Sequence, residues 1–259
     1  MEIMIGMLSK RMNSRKKRFV YAGIGLGAGL VLALGAFVLT LPDVSALAGT
    51  NPRTTALMEQ RASEAKAKGN SRASRRDWVP LNRIAPHAVL AVVTMEDDRF
   101  WRHEGFDFVE MKEAVQKNWE KKSWRRGAST ITQQLAKNLY FGTEKNLWRK
   151  VREAATAWKI ERALSKRRIL EIYMNVVEWG NGIYGIEAAS RHYFGKSPAD
   201  LSVDEAVRLA VVLPSPRRYD PRGSSAFVEN RRSVLLERLA RKGVQTEAEL
   251  AFGTPGSSL

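Results

Sequence analysis

The feature that most constrains this chain is an unbroken run of 23 residues without a charge, FVYAGIGLGAGLVLALGAFVLTL, from Phe19 to Leu41. As a helix rising ~1.5 Å per residue it extends roughly 34 Å, enough for the ~30 Å hydrocarbon core of a bilayer. Met1 to Arg18 carry six basic residues (Lys10, Arg11, Arg15, Lys16, Lys17 and Arg18) against one acid, Glu2. That bias predicts a cytoplasmic leader, a transmembrane helix and export of everything after Pro42. Ala46-Leu47-Ala48 resembles a signal-peptide cleavage site, but the apolar run exceeds the usual ~7–15 residues of such peptides, which favours a retained anchor. The Gly23/Gly27 and Gly25/Gly29 spacings fit helix pairing and equally fit the ordinary tolerance of glycine in membrane helices.

Charge narrows the choice of partners. The whole chain has a formal charge of +16, and 37 basic against 26 acidic residues follow the apolar run, a net +11. A basic domain on the outer side of a membrane meets anionic headgroups and phosphorylated molecules, not the chromosome, so nucleic acid is not an expected partner. Cysteine is absent from all 259 residues, which excludes disulfide scaffolds, thiolate zinc sites and cysteine nucleophiles. The expected organisation is a leader over 1–18, the membrane helix over 19–41, a connector over 42–77, one globular domain over 78–243 and a tail over 244–259. A short helix is predicted inside the connector, from Thr55 to Lys68.

Apolar spacing predicts a mainly α domain. Phe108, Met111, Val115 and Trp119 share one helix face; Ile131, Leu135 and Leu139 share another, with Ser129 as its expected N-cap. Val151, Ala155 and Trp158 mark a third helix. Ser165 can cap a fourth, with Ile169, Ile172, Tyr173 and Val176 facing inward. Two more are expected over about Ser202–Leu213 and Ala226–Lys242.

Four polar blocks interrupt this periodicity. In the first, Glu96-Asp97-Asp98-Arg99-Phe100-Trp101-Arg102-His103-Glu104-Gly105, acids follow an apolar run directly. A carboxylate at the end of a buried segment can be desolvated into a general base's range, or it can simply cap the next helix. The second, Gly127 to Asn138, is unusually rich in hydroxyls and amides (Ser129, Thr130, Gln134) and carries Lys137 three residues beyond Gln134; it suits a hydroxyl-rich ligand near phosphate, or a capped helix with a solvated side. The third sets Lys145, Arg149 and Lys150 around Glu153. These cations keep the carboxylate ionised and can cradle pyrophosphate or a metal bridging to it; helix-stabilising ion pairs are the alternative reading. The fourth, Gly180 to Gly185, is a glycine-rich turn without P-loop spacing.

His87, His103 and His192 lack HExxH spacing, so no zinc site is expected. The Ser-x-x-Lys matches at Ser14–Lys17 and Ser63–Lys66 precede neither KTG nor SDN, and no GxSxG elbow occurs.

In this order the blocks resemble the peptidoglycan glycosyltransferase family, whose members polymerise lipid II. The likeness runs from about Trp78 to about Asn230: E-D-x-x-F-x-x-H-x-G is complete from Glu96 to Gly105, STITQQLAKN from Ser129 to Asn138, RKVRE from Arg149 to Glu153 fits RKxxE, and KRRILEIYMN from Lys166 to Asn175 fits KxxILExYLN. Ala128 stands where a second glycine is usual, Met174 replaces Leu, and Lys145 replaces Arg, keeping charge but losing bidentate geometry. Too few residues follow Asn230 for an appended penicillin-binding domain, so the likeness is to the monofunctional form.

The resemblance implies a lysozyme-like, mainly α glycosyltransferase domain with a small membrane-facing jaw. It implies that Glu96 is the base in an inverting transfer and that Glu153 organises the pyrophosphate end, directly or through a divalent cation (Mg or Mn), with no organic cofactor. Lys137, Lys145, Arg149 and Lys150 are then expected on phosphate oxygens, Ser129, Thr130 and Gln134 on sugars or phosphate, and Asp97, Phe100 and His103 around the base. The expected partners are lipid II, the nascent strand, membrane lipids and other cell-wall synthesis and division proteins, at the bacterial inner membrane with the domain on its outer face. Leu139, Tyr140, Phe141, Leu147 and Trp148 are candidates for dipping into lipid. A glycan-cleaving enzyme of similar fold and a non-catalytic basic scaffold are the rival readings.

Overall fold

The computed structural model describes residues 14–69, 76–120, 129–143 and 146–244. Lys145, Gly127, Ala128, most of the leader and nearly all of the tail lie outside the described residues. The chain divides into two units, Met1–Pro42 and Asp43–Leu259.

The first unit holds α1, Ser14–Leu39. Its stretch Arg18–Leu39 is long and apolar enough to cross a membrane, and none of it is buried within the protein.

Among the described residues the second unit is helical apart from one hairpin. In chain order it comprises α2 (Ala56–Ala67), α3 (Pro86–Glu96), α4 (Phe108–Glu120), α5 (Ile131–Tyr140), α6 (Leu147–Ala163), α7 (Lys166–Val176), β1 (Glu178–Gly180), β2 (Ile183–Tyr184), α8 (Ile186–Phe194), α9 (Val203–Val212) and α10 (Ala226–Ala240), with short 3₁₀ turns at Ser45–Ala48, Leu81–Arg83 and Phe100–Arg102. Several starts are capped by side chains that satisfy an otherwise orphaned N–H: Thr55, Asn146, Ser165, Ser202 and Ser225 each accept from the residue three ahead. The cap of α5 falls one residue later than the sequence suggests. Thr130, not Ser129, accepts from the Gln133 N–H while the Gln133 side chain returns to the Thr130 N–H. That reciprocal box satisfies two donors, which Ser129 has no partner to match.

The core forms where α5 packs on α6 and α7, and where α9 packs on α3 and α10. Ile131, Leu135, Ile160, Ile169, Leu170, Ile172, Tyr173, Met174 and Trp179 have no accessible surface. Each such aliphatic side chain contributes about 1.5–3 kcal/mol relative to exposure. The β1–β2 hairpin pairs Glu178 with Tyr184 and Gly180 with Ile183 around an Asn181-Gly182 turn. Gly185 follows at φ +80°, and a Cβ there would lie 2.7 Å from the Asn175 carbonyl oxygen, so the chain can pass the end of α7 only as glycine.

The expected connector belongs to the compact unit from Asp43 onward. Val44, Leu47 and Leu57 are buried. Arg168 of α7 fastens the segment, donating to the Leu47 carbonyl (2.8 Å), the Thr50 carbonyl (3.0 Å) and Asn51 Oδ1 (2.8 Å). Asn175 clamps Val79 through both its N–H and its carbonyl, each at 2.8 Å. Sequence reading missed this because Pro, Gly and Ser spacing marks a chain as irregular without saying whether it is packed.

Of the candidate lipid contacts, Leu139 is a core residue at 7% exposure. Tyr140 and Phe141 are half-buried, whereas Leu147 and Trp148 are exposed. The shared face of α4 is exposed as well: Phe108, Met111, Val115 and Trp119 all point to the surface.

Candidate active site

Glu96 is the last residue of α3, a helix whose preceding residues Ala91 to Thr94 are buried. Its own side chain is only partly covered. Its Oε2 accepts from Gln134 Nε2 at 2.8 Å, and Gln134 Oε1 accepts from the Tyr173 hydroxyl at 3.0 Å. Burial pushes the Glu96 carboxyl above the ordinary glutamate range, against the opposing pull of the Gln134 hydrogen bond and of the Arg231 and Lys137 charges. Burial also raises Tyr173 well above the usual phenol range, with Glu96 and Asp97 adding to it, so its hydroxyl stays a donor. A carboxylate that is shielded, oriented and still reachable has the properties of a proton acceptor.

Asp97, one residue on, is fully buried and faces the other way. Its Oδ1 lies 2.9 Å from His103 Nε2, and its Oδ2 accepts from the Ile131 N–H at 2.9 Å. His103 Nδ1 accepts from the Gly105 N–H at 3.2 Å, which assigns the proton to Nε2. Thr130 Oγ1 donates to the Gly105 carbonyl at 2.8 Å. These contacts tie the loop 97–105 to the first turn of α5. Asp97 and Thr130, at 1% and 3% exposure, and Phe100, at zero, offer a ligand no usable surface. Asp97 and Phe100 were expected around the base and Thr130 on sugar or phosphate; in the structure all three side chains are enclosed by protein, Phe100 packing in the core under the Lys166 ammonium 4.4 Å from its ring centre.

The cations gather along α5 and α6. Lys137 lies one helical step beyond Gln134 and is half-buried. Burial, and then the charge of Arg149, hold its ammonium below the ordinary lysine range; Arg61 adds to this and Glu96 opposes it. Lys150 is depressed in the same direction by burial, Lys137 and Arg149. Its Nζ donates to Ser129 Oγ at 3.1 Å and lies 3.3 Å from Glu153 Oε2. Glu153 is 99% buried and pairs through Oε1 with Arg149. Two lysines depressed by burial and by the neighbouring Arg149 charge, together with that arginine, form a site that favours an anion.

Glu153 has a cation on each oxygen, so the residues present do not fit a divalent ion there. Among the described residues Asp97, His103 and Asp107 bring potential ligand atoms within 4.8 Å. Those atoms already serve the protein: Asp107 Oδ1 caps α4 through the Val109 and Glu110 N–H groups, and its Oδ2 pairs with Arg99 at 3.3 Å.

The structure therefore gathers Glu96, Gln134, Lys137, Ser129, Arg149, Lys150 and Glu153 on and around α5, and places Asp97, His103, Thr130 and Phe100 beneath them. Tyr173, Arg231 and Arg61 join the site without having been singled out. Tyr173 sits in the KRRILEIYMN block but reads there as one more inward apolar position; Arg231 and Arg61 are brought in from α10 and α2 by tertiary packing.

The family model described as Transglycosylase matches residues 62–240. The chain belongs to the transglycosylase family. The match covers every element from α2 onward that builds the site, beginning within α2 itself. The transglycosylase chain is also similar to three proteins named biosynthetic peptidoglycan transglycosylase. One, from Thiobacillus denitrificans, is 45% identical over 219 residues, covering 84% of this chain and 94% of the relative. One from Aromatoleum aromaticum is 51% identical over 170 residues, 66% of this chain and 74% of the relative. The third, from Nitrosospira multiformis, is 43% identical over 194 residues, 75% and 84% respectively.

Proposed function

We propose that this transglycosylase polymerises lipid II into peptidoglycan glycan strands. The 4-hydroxyl of an acceptor N-acetylglucosamine attacks C1 of the N-acetylmuramic acid at the reducing end of the growing strand; Glu96 takes the hydroxyl proton as the new C–O bond forms, and undecaprenyl pyrophosphate leaves with the electron pair of the broken bond. A sugar hydroxyl is a weak nucleophile and needs a positioned base, whereas pyrophosphate leaves well once its charge is neutralised. The observation that carries this reading is the placement of a shielded carboxylate, raised by burial, at Glu96 beside Lys137, which in turn adjoins Arg149 and, through it, Lys150. A hydrolase needs a protonated acid over its leaving group, and Glu153, locked between two cations, is the opposite of that.

Ser129 and Gln134 are assigned to the sugars or phosphate, and Asp97 and His103 to holding the base. Arg149 and Lys150, held by Glu153, face the leaving group. The membrane reading rests on α1 and on the exposed apolar faces of α4 and the start of α6: α1 anchors the chain in the bacterial cytoplasmic membrane as a single pass, with the enzyme on the outer face, and the exposed faces meet lipid as the membrane-facing part of the domain. An anchored enzyme meets a polyprenyl-tethered substrate in two dimensions, at raised effective concentration. Other cell-wall synthesis and division proteins are its expected company.

Purified protein given labelled lipid II should lengthen glycan strands, resist penicillin and be blocked by moenomycin. Release of muropeptides from finished peptidoglycan would favour a cleaving enzyme, and no turnover of either substrate would favour a scaffold.

A further inference from the structure

A concavity lies between α2 and the β1–β2 turn. Its volume is about 460 Å³, and Arg61, Glu64, Lys68, Asn181, Tyr184 and Arg217 are on its wall. Arg61 is shared with the transfer site through its charge on Lys137; the other five belong to none of the residues placed there. The size is in the range of small-ligand sites, ~300–1,000 Å³.

The charges of this pocket are arranged, not scattered. Arg61 Nε reaches Glu178 Oε2 at 3.1 Å, and Arg61 Nη1 reaches Glu64 Oε2 at 2.9 Å. Arg217 Nη1 approaches the same Glu64 oxygen at 3.3 Å. Glu64 and Glu178 are thus spent holding the two arginines in place, and among the described residues no carboxylate pairs with Lys68. Arg61, Arg217 and Lys68 face two carboxylates, Glu64 on the wall and Glu178 behind Arg61, which leaves one positive charge in excess, with the Asn181 amide as a further hydrogen-bonding group and the Tyr184 ring as an apolar side. Such a set selects an extended ligand carrying carboxylates and amides; a lone phosphate would use the charges but leave most of the volume unfilled. Two links connect the pocket to the transfer site. α2 packs along α5, and the charge of Arg61 is felt by Lys137.

We propose that this pocket binds the stem peptide of the substrate, the short carboxylate-bearing peptide attached to the muramic acid. The inference rests on lipid II as the substrate and adds the part of it that is recognised away from the reacting carbon. Arg217 and Lys68 hold stem carboxylates at the mouth, and Asn181 meets a peptide amide.

The test compares lipid II carrying free stem carboxylates with lipid II whose stem carboxylates are converted to amides, using the full-length protein. The wild type should show about tenfold higher kcat/KM on the free-acid form, expressed in KM. The Lys68→Glu/Arg217→Glu variant should lose that preference while keeping the wild-type kcat on the amidated form, with an unchanged circular dichroism spectrum. Equal use of both forms by the wild type, or an undiminished preference in the variant, overturns the stem-peptide assignment while leaving lipid II polymerisation intact; no polymerisation of either form would instead strike the underlying reading. Repeating the comparison in neutral and in anionic vesicles separates the remaining source of negative charge. A variant defect that follows the anionic lipid and not the stem would make the pocket a headgroup site and overturn the proposal.

Discussion

Gln134 Nε2 donates to Glu96 Oε2 at 2.8 Å, and this one bond opposes the burial that raises the Glu96 pKa. Because the bond favours the ionised carboxylate, its loss must move the pKa further up. Gln134→Leu should therefore shift the acidic limb of the kcat/KM profile to higher pH, while leaving the basic limb in place. A pH series on the variant and the parent checks the direction; an acidic limb displaced downward would contradict it.

Glu96→Gln separates catalysis from stability. Removing a general base typically lowers turnover roughly 10²–10⁴-fold. A carboxyl whose folded pKa lies above its unfolded value stabilises the fold most when protonated, and that contribution is lost as pH rises through the folded pKa. At neutral pH the wild type therefore carries the cost of a charged, shielded Glu96 that the glutamine variant lacks. The variant should melt at an equal or higher temperature at pH 7, and the gap should close on acidification below the ordinary glutamate range. Thermal denaturation at several pH values reads this directly.

Glu153 should respond in the reverse sense. It is buried and paired to Arg149, and breaking such a pair by removing one partner costs about 3–5 kcal/mol. Glu153→Ala should show that loss in denaturant titrations. Glu153→Gln, which keeps a hydrogen-bond acceptor beside Arg149, should lose less stability than the alanine variant while still impairing transfer.

The exposed apolar residues allow a test that leaves the core alone. Trp119 is 80% exposed and Leu147 82% exposed. Trp119→Glu and Leu147→Glu should change folding stability by no more than about 0.5 kcal/mol, as surface changes usually do. Their partitioning onto vesicles should fall measurably. Unchanged partitioning would remove these helices from the membrane contact.

Much of this architecture can be read before any coordinates. The 3.6-residue periodicity finds α5, α7 and α9, the last with its bounds within a residue, and Ser165 and Ser202 cap where hydroxyl placement says they should. The polar blocks lead to Glu96, Lys137 and Glu153 because charge in the midst of apolar periodicity needs a reason. What stays hidden is direction. Glu96 and Asp97 are adjacent carboxylates, yet one opens to solvent and the other is sealed beneath α5, and only the helix end and the Ile131 N–H decide which. Phe100 and Thr130 look like ligand contacts for the same reason: a linear pattern marks a residue as constrained without saying whether substrate or packing constrains it. The α4 face misleads in the opposite way, its helical apolar stripe lying exposed.

Asn175 shows a polar residue of a shared motif serving the fold. It closes two hydrogen bonds on the Val79 backbone. Asn175→Ala should cost about 1–3 kcal/mol by stranding those buried groups, with KM little changed in whatever protein remains folded.

The bond from Asp97 to the Ile131 N–H joins the segment after α3 to the head of α5, the helix that also carries Lys137. Glu96, one residue before Asp97, and Lys137 are thereby riveted to a single rigid strut. Under the proposed function, the gap that a sugar unit must bridge is therefore set by the packing of one helix and not by a loop free to adjust.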